Sequence, residues 1–316
     1  MKPPNYPRLI FMGTPDFALP SLKALLTAGE DVVSIYTQPD RPKGRGRKSQ
    51  PSPVKELALS YHLPVFQPVS LKENFIQEQL AEQKPDFLIV VAYGLILPRA
   101  VLDIPTWGAV NVHASLLPKY RGAAPIQWAI ISGEKQTGIT TMRLDAGMDT
   151  GAILLQETEA IFETDTAQSL HDRLSELGGR LLLQTLTLLR QGTLIPQPQD
   201  PSQTCYAPPL KKAQGEIRWD LPAVEIDHWI RGLSPWPGAF TFWLGKRLII
   251  HRARPDSIEI MGTPGTIHSL EQGHIQIQTG QGLLTILEAQ VEGHRRMSSE
   301  ELLRGFALKA GVRLGR

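Results

Sequence analysis

The chain has 316 residues, of which 41% are hydrophobic and 20% are charged, and its formal net charge is +2. This length predicts about two domains of ordinary globular composition. The small net charge excludes a strong overall field for polyanions, so any nucleic-acid contact must come from local basic clusters. The single cysteine excludes an intrachain disulfide, and no apolar run approaches the roughly 20 residues that span a bilayer. Since the first predicted strand leaves no room for a targeting peptide before it, we expect a cytoplasmic protein.

The first half of the chain alternates strand and helix signals. Short apolar or β-branched runs predict strands, and amphipathic stretches between them predict helices. The predicted strands cover residues 8–13, 31–37, 64–68, 86–94, 108–115 and 137–144, and the predicted helices cover residues 16–28, 51–62, 71–83 and 124–132. This alternation is typical of an α/β fold with a mostly parallel, doubly wound sheet. Ligands of such sheets bind at the carboxyl ends of the strands.

The composition changes after a long leucine-rich helix predicted over 166–190. Residues 193–215 hold five prolines, which remove backbone donors and favour an extended linker. Short alternating segments beyond it predict antiparallel strands in a small barrel or sandwich. We expect its core to include Trp229, Trp236, Trp243 and Phe240. The predicted organisation is a first domain over 1–192, a linker over 193–208 and a second domain over 209–316.

The stretch around residues 108–151 carries the strongest chemical signal. Asn111 and His113 stand two apart in a predicted strand, so their side chains point to the same face. Asp149 follows in the segment DAGMDTG, between Gly147 and Gly151. An amide can donate to an oxyanion, an imidazole can move a proton near neutral pH, and a carboxylate can orient the imidazole. With no nucleophile elbow and no metal-ligand spacing, this set favours direct acyl transfer between two bound substrates.

Two segments of the chain predict binding surfaces. SLLPKYRGAAP (115–125) places apolar residues and a proline after the candidate catalytic strand, where a flat ligand can pack. Its Arg121 and Gly122 are expected to open a helix whose N-terminus can hold an anion. The loop TQPDRPKGRGRKSQPSP (37–53) carries five cations within eight residues, interleaved with glycines. This pattern favours contact with a phosphate backbone.

The turn after the first strand argues against a dinucleotide site. GTPDFA, from residue 13, has one glycine, which does not match G-x-G-x-x-G, and no Walker A motif occurs. A tight strand-to-helix turn explains Gly13 better. A nucleotide-binding oxidoreductase is thereby disfavoured, and a nucleic-acid-binding module with an inactive site remains as an alternative from a different class.

On the basis of these residues and motifs, the chain resembles the 10-formyltetrahydrofolate-dependent formyltransferases from about residue 8 to its C-terminus. The shared segments include GTPDFALPSL, VVAYGLILP, NVHASLLPKYRGAAPIQWAI and DAGMDTG. The basic TQPDRPKGRGRK loop and RGLSPWPGA (231–239) resemble the narrower group of members that modify tRNA. The resemblance implies a Rossmann-like catalytic domain, a linker and an OB-like domain that binds tRNA.

The resemblance also implies the substrates and the roles of residues. The formyl group of 10-formyltetrahydrofolate would pass to the α-amine of initiator methionyl-tRNA, for translation initiation, without a metal. Asn111, His113 and Asp149 would be catalytic, and the sequence leaves open whether His113 or Asp149 is the immediate base. Folate would be framed by Val91, Tyr93, Leu95, Ser115, Leu116, Leu117 and Pro118. The tRNA would be contacted by Arg41, Lys43, Arg45, Arg47 and Lys48. A monomer is expected, and a formyltransferase acting on an amino sugar or another small amine stays open as an alternative.

Overall fold

The computed structural model describes residues 6–43, 48–258, 262–271 and 273–315. The helices are α1 (Leu19–Thr27), α2 (Pro53–Ser60), α3 (Asn74–Glu82), α4 (Arg99–Leu102), α5 (Pro125–Ile131), α6 (Ala167–Gln191), α7 (Ala223–Gly232) and α8 (Ser299–Gly305). The first eleven strands are β1 (Arg8–Gly13), β2 (Asp31–Tyr36), β3 (Arg41–Lys43), β4 (Lys48–Gln50), β5 (Val65–Phe66), β6 (Phe87–Val91), β7 (Ala109–His113), β8 (Arg121–Gly122), β9 (Gln136–Arg143), β10 (Ile153–Ala160) and β11 (Tyr206–Ala207). The remaining strands are β12 (Ala239–Trp243), β13 (Lys246–Asp256), β14 (Ile267–Ser269), β15 (Ile275–Gln278), β16 (Leu283–Val291) and β17 (Met297–Ser298).

A seven-stranded sheet forms the centre of the first half of the chain. Its strand order is β10-β9-β7-β6-β1-β2-β5. The pairs from β7 to β5 are parallel, whereas β9 runs antiparallel to β7, and β10 runs antiparallel to β9. The mostly parallel, Rossmann-like sheet predicted from the sequence is confirmed. Strand β10, whose side chains are largely exposed at the sheet edge, was not predicted from the sequence.

Burial explains why the central strands form. All five residues of β6 and all five of β7 are buried, which is typical of parallel strands covered on both faces. Helix α2 begins at a local cap: the Ser52 side chain accepts a hydrogen bond from the Lys55 N–H, and Pro53 occupies the first position of the helix. The parallel strands β1, β6 and β7 therefore all deliver their carboxyl ends to one edge of the sheet.

A second, antiparallel sheet lies in the last third of the chain. Its order is β12-β13-β16-β15-β14, and β17 pairs with β16. Its core cluster includes Ile226 and Ile230 of α7 together with Trp243. This sheet agrees with the OB-like domain predicted above. The expectation that Trp236 belongs to the core is wrong, because its side chain is 53% exposed.

The chain forms two compact units. The first comprises residues 1–125, 136–160 and 171–207, and the second comprises 126–135, 161–170 and 208–316. Most of the proline-rich segment predicted as a linker thus belongs to the first unit. Gln197 bridges to Ile153, and β11 pairs with β8 in parallel.

Candidate active site

Asn111 and His113 lie on one face of β7 at its carboxyl end. They are 9% and 7% exposed. His113 stands opposite Thr140 of β9, and Asn111 stands between Val90 of β6 and Met142 of β9. Within the described part of the chain, the Asn111 side-chain amide makes no hydrogen bond. Its polar atoms are not among the fully buried, unpaired side-chain atoms of the described residues, so the amide reaches solvent and can donate to a bound ligand atom.

The two ring nitrogens of His113 have different surroundings. Nε2 lies 3.0 Å from the backbone carbonyl oxygen of Tyr120. Because a carbonyl can only accept, Nε2 must carry the hydrogen and donate it. Nδ1 faces Asp149 Oδ1 at 3.8 Å, which is too long for a hydrogen bond but close enough for electrostatic support. Nδ1 is therefore the nitrogen at which His113 can gain or lose a proton.

A backbone hydrogen bond to Oδ2, the oxygen that does not face His113, holds the Asp149 carboxylate in place. Oδ2 accepts a hydrogen bond of 2.8 Å from the Gly122 N–H. Asp149 has a φ of +53°, a left-handed conformation that aspartate tolerates better than most residues. Gly151 is required nearby, because a Cβ there would lie 1.7 Å from the carbonyl oxygen of Arg143. The backbone around Asp149 is thus held in one narrow arrangement.

Gln199, a polar residue that lies beside Asp149 and contacts Arg121, was not predicted from the sequence. The Gln199 Nε2 donates to the carbonyl oxygens of Asp149 (2.8 Å) and Gly151 (2.7 Å). Its Oε1 accepts from Arg121 Nε (3.1 Å) and Nη2 (2.7 Å). The prediction that Arg121 and Gly122 open a helix is wrong, since they form β8 and the helix α5 begins at Pro125. Their pairing with β11 holds this backbone extended.

The 115–118 segment follows β7, and side chains of neighbouring strands hold it through hydrogen bonds to its backbone. The Thr140 hydroxyl donates to the Ser115 carbonyl (2.7 Å) and accepts from the Leu117 N–H (3.0 Å). Gln156 Nε2 donates to the Leu117 carbonyl (2.9 Å), and the Leu117–Pro118 peptide bond is cis. Thr140 and Gln156 were not singled out in the sequence. Ser115 and Leu117 are buried, so Leu116 and Pro118, which are half-buried, offer the accessible side chains.

The other three residues expected to frame folate differ in exposure. Val91 and Tyr93 are almost fully buried, and Tyr93 packs in the same core cluster as Tyr36. Burial raises the pKa of Tyr93, so its phenol stays neutral. Leu95 is half-buried and packs against that cluster. Of these three, Leu95 alone has a partly accessible side chain, while the Tyr93 carbonyl accepts from the Thr14 hydroxyl.

The basic loop is described only in part. β3 and β4 form a two-stranded hairpin in which Lys43 stands opposite Lys48. The exposed Arg41 donates to Gln38 Oε1 at 2.6 Å. Arg45 and Arg47 lie outside the described residues. A cavity of about 390 Å³ opens beside the hairpin, lined by residues of the turn after β1, of the hairpin and of 92–94. Its position at the carboxyl ends of β1 and β6 is where a substrate is expected.

Two further findings concern metals and membranes. Over residues 6–43, 48–258, 262–271 and 273–315, no three His, Cys, Asp or Glu side chains come together in a way that suits a metal ion. In the same stretches, no helix is both long enough and apolar enough to cross a bilayer.

Comparisons with known proteins cover nearly the whole chain. The sequence patterns described as formyl transferase and as formyl transferase, C-terminal domain, match residues 7–186 and 209–307. The chain is 50% identical to methionyl-tRNA formyltransferase of Trichlorobacter lovleyi, over 97% of this chain and 96% of that protein. It is 52% identical to methionyl-tRNA formyltransferase of Pelotomaculum thermopropionicum, over 98% of each.

A solved structure shows the same fold. The N-formyltransferase of Helicobacter canadensis, in complex with folinic acid and dTDP-3-aminofucose, superposes with a TM-score of 0.68 at 20% identity. The match covers 90% of this chain and 98% of that one. The two-unit architecture described above is therefore the architecture of that enzyme as well.

Proposed function

Since the chain belongs to the formyl transferase family, we propose that it transfers the formyl group of 10-formyltetrahydrofolate to the α-amine of initiator methionyl-tRNA. The products are formyl-methionyl-tRNA and tetrahydrofolate. The main support is identity of about 50% to methionyl-tRNA formyltransferases over both halves of the chain. We further propose that the protein acts in the cytoplasm as a monomer.

The arrangement around β7 suits acyl transfer to an amine. The folate supplies the formyl carbon. The neutral amine attacks this carbon to form a tetrahedral intermediate, which then collapses as the bond from the carbon to N10 breaks. The Asn111 amide, which lacks a partner among the described residues, donates to the oxyanion of the tetrahedral intermediate. An amine proton must leave, and N10 must gain one, so a group that both accepts and returns a proton is needed.

His113 is suited to this proton transfer at one atom. Because Nε2 is committed to the Tyr120 carbonyl, the proton is taken up at Nδ1. The resulting imidazolium faces Asp149 Oδ1, whose charge stabilises it. The separation of 3.8 Å is consistent with a site that tightens when both substrates bind. We therefore propose His113 as the immediate base and Asp149 as its electrostatic partner.

The first half of the chain carries groups that suit both substrates. The half-buried Leu95, Leu116 and Pro118 offer apolar surface for the flat ring of a folate. The exposed Arg41 and the other cations of the loop, namely Lys43, Arg45, Arg47 and Lys48, suit the phosphates at the acceptor end of a tRNA. Contacts from Val91, Tyr93, Ser115 and Leu117 would then be made mainly through their backbone, since their side chains are buried.

Formyl transfer from 10-formyltetrahydrofolate to charged initiator tRNA tests the proposal directly. Wild type, His113→Ala and the surface control His62→Asn are compared, with a dTDP-linked amino sugar as a second acceptor. We expect transfer to tRNA by wild type and control, and a loss on the order of 10²-fold or more in His113→Ala. Transfer to the sugar but not to tRNA would overturn the proposal that tRNA is the acceptor. Full activity of His113→Ala would overturn the proposed catalytic role of His113.

A further inference from the structure

Gln199 joins the catalytic loop to a part of the chain 50 residues later. Its Nε2 is shared between the carbonyl oxygens of Asp149 and Gly151, at 2.8 and 2.7 Å. These two carbonyls flank Thr150, so one side-chain amide spans the turn that carries the Asp149 carboxylate. Since Asp149 adopts a φ of +53°, which non-glycine residues adopt at a cost, an external contact is needed to hold it.

The orientation of the Gln199 amide is determined by its partners. Backbone carbonyls can only accept, and the Arg121 guanidinium can only donate. The amide nitrogen must therefore face Asp149 and Gly151, while the oxygen faces Arg121, as the distances show. Arg121 is only 7% exposed. Its Nε and Nη2 both donate to Gln199 Oε1, which holds the amide oxygen while the amide nitrogen faces Asp149 and Gly151.

The same network reaches the Asp149 carboxylate through a second route. Arg121 is followed by Gly122, whose N–H donates to Asp149 Oδ2 at 2.8 Å. The Arg121 N–H in turn donates to the Cys205 carbonyl at 3.0 Å. The carboxylate and the backbone of Asp149 are thus both held by the 121–122 strand and the 197–207 segment, and its Oδ1 is left facing His113.

We propose that Gln199 is a positioning residue for formyl transfer, with Arg121 as its support. Its amide holds the Asp149 turn so that the carboxylate faces Nδ1 of His113. Gln199 acts through Asp149 and is not expected to touch either substrate. This inference rests on the proposed catalytic role of Asp149.

The first test compares Gln199→Ala and Gln199→Glu with Gln203→Ala as a matched control. Gln203 is an exposed glutamine of the same segment that hydrogen-bonds to Asp200. In Gln199→Glu the contact with Arg121 is kept, but an oxygen replaces the donor to both carbonyls. We expect kcat to fall on the order of 10-fold in both variants, from misplacement of Asp149. KM for folate and tRNA should change by less than about twofold, as for a group that acts on the transition state.

The second test repeats Gln199→Ala in an Asp149→Ala background, by single turnover with enzyme in excess. A positioning residue acting through Asp149 should cost less than about twofold when that carboxylate is already absent, because the two effects are not additive. An equal loss in both backgrounds would show a general structural role and overturn the inference.

The outcomes separate the two proposals. If Asp149→Ala keeps wild-type turnover, the catalytic role of Asp149 fails, and with it this inference. If Asp149→Ala loses turnover while both Gln199 variants keep wild-type kcat, the inference is overturned and the proposed function stands. Thermal unfolding of each variant shows whether lost turnover follows lost folding, and a Gln199→Glu protein that is folded but slow would support the positioning role.

Discussion

Asn111 lies near the carboxyl end of β7, between Val90 of β6 and Met142 of β9. It is 9% exposed and buried among the central strands, yet its amide has no hydrogen-bond partner in the described part of the molecule. With no protein partner the amide reaches solvent, so Asn111 can donate to a bound substrate. Its neighbour two positions on, His113, has one nitrogen committed to the backbone and one free for protons. The face that they share is suited to the proposed formyl transfer.

Removing the amide should therefore affect the transition state more than ground-state binding. For Asn111→Ala we expect kcat to fall about 10²-fold or more, because a donor to the oxyanion is lost, with KM for folate little changed. Steady-state formyl transfer measures both, and Asn74→Ala at the exposed start of α3 is the matched control. A loss within tenfold would assign oxyanion stabilisation to another group.

The basic loop should act on the tRNA and not on the folate. For Arg45→Ala we expect KM for tRNA to rise and its dependence on salt to weaken, because one phosphate contact is removed. KM for folate should stay at the wild-type value. Arg99→Ala, a highly exposed arginine outside the loop, controls for net charge. Wild-type use of tRNA by Arg45→Ala would contradict the assignment.

At the scale of single residues, the sequence predicted which side chains come together only where the residues are close in the chain. Asn111 and His113 share a face because strand side chains alternate, which spacing alone reveals. The contact between Asp149 and Gln199 cannot be found in this way, because 50 residues separate them and a glutamine between prolines carries no local signal. The roles assigned to Asn111, His113 and Asp149 stay proposals until the variants are measured.

Among the elements, α6 shows how close packing is achieved. Two adjacent glycines on this long helix approach neighbouring elements of the first unit. A Cβ at Gly179 would lie 2.9 Å from the Pro20 carbonyl oxygen of α1, and one at Gly178 would lie 3.0 Å from Val112 of β7. Since Val112 stands between Asn111 and His113, this packing also supports the strand that carries the site.

The two helix glycines Gly179 and Gly305 should therefore respond oppositely to alanine. Gly179→Ala should lower the free energy of unfolding by about 1–3 kcal/mol through overpacking against backbone. Gly305 of α8 has open space where a Cβ would lie, so Gly305→Ala should be neutral or stabilising by up to about 1 kcal/mol. Denaturant unfolding of both proteins measures this, and a stabilising Gly179→Ala would contradict the close approach.

The sequence predicted most elements of the first unit, with strand direction as the main gap. The apolar run 86–94 predicted β6 because a strand buried on both faces is uniformly hydrophobic. Residues 137–144 predicted β9 equally well, but apolar character does not reveal that β9 is antiparallel. β10 was missed because its ILLQETEA sequence has a short apolar start and an exposed, polar end.

Considered as a whole, the molecule consists of two units with different sheets. The mostly parallel sheet of the first unit presents Asn111, His113 and Asp149 at strand ends and the turns after them. The second unit carries two partly buried histidines, and burial lowers the pKa of both His228 and His251. Positive charges of Arg231 and Lys135 lower the pKa of His228 further, and Arg296 acts in the same direction on His251.

This unit should lose stability in mild acid. Because both folded-state pKa values lie below the ordinary value of 6.5, the unfolded chain binds protons first as the pH falls. The stabilising contribution is complete above about pH 6.5 and is lost as the pH falls through the folded pKa values. Thermal unfolding between pH 8 and about pH 5 measures the loss. A His228→Gln, His251→Gln protein should show a smaller fall, and an unchanged fall would contradict the prediction.

The dependence of Asp149 on Gln199 also has a consequence for the order in which the protein is made. Synthesis proceeds from the N-terminus, so Asn111, His113 and Asp149 leave the ribosome before the amide that holds Asp149. A nascent chain ending near residue 192 already has every strand of the parallel sheet, but it lacks both Gln199 and β11. The proposed catalytic centre would therefore be completed late, when the segment up to Ala207 has emerged and paired with β8.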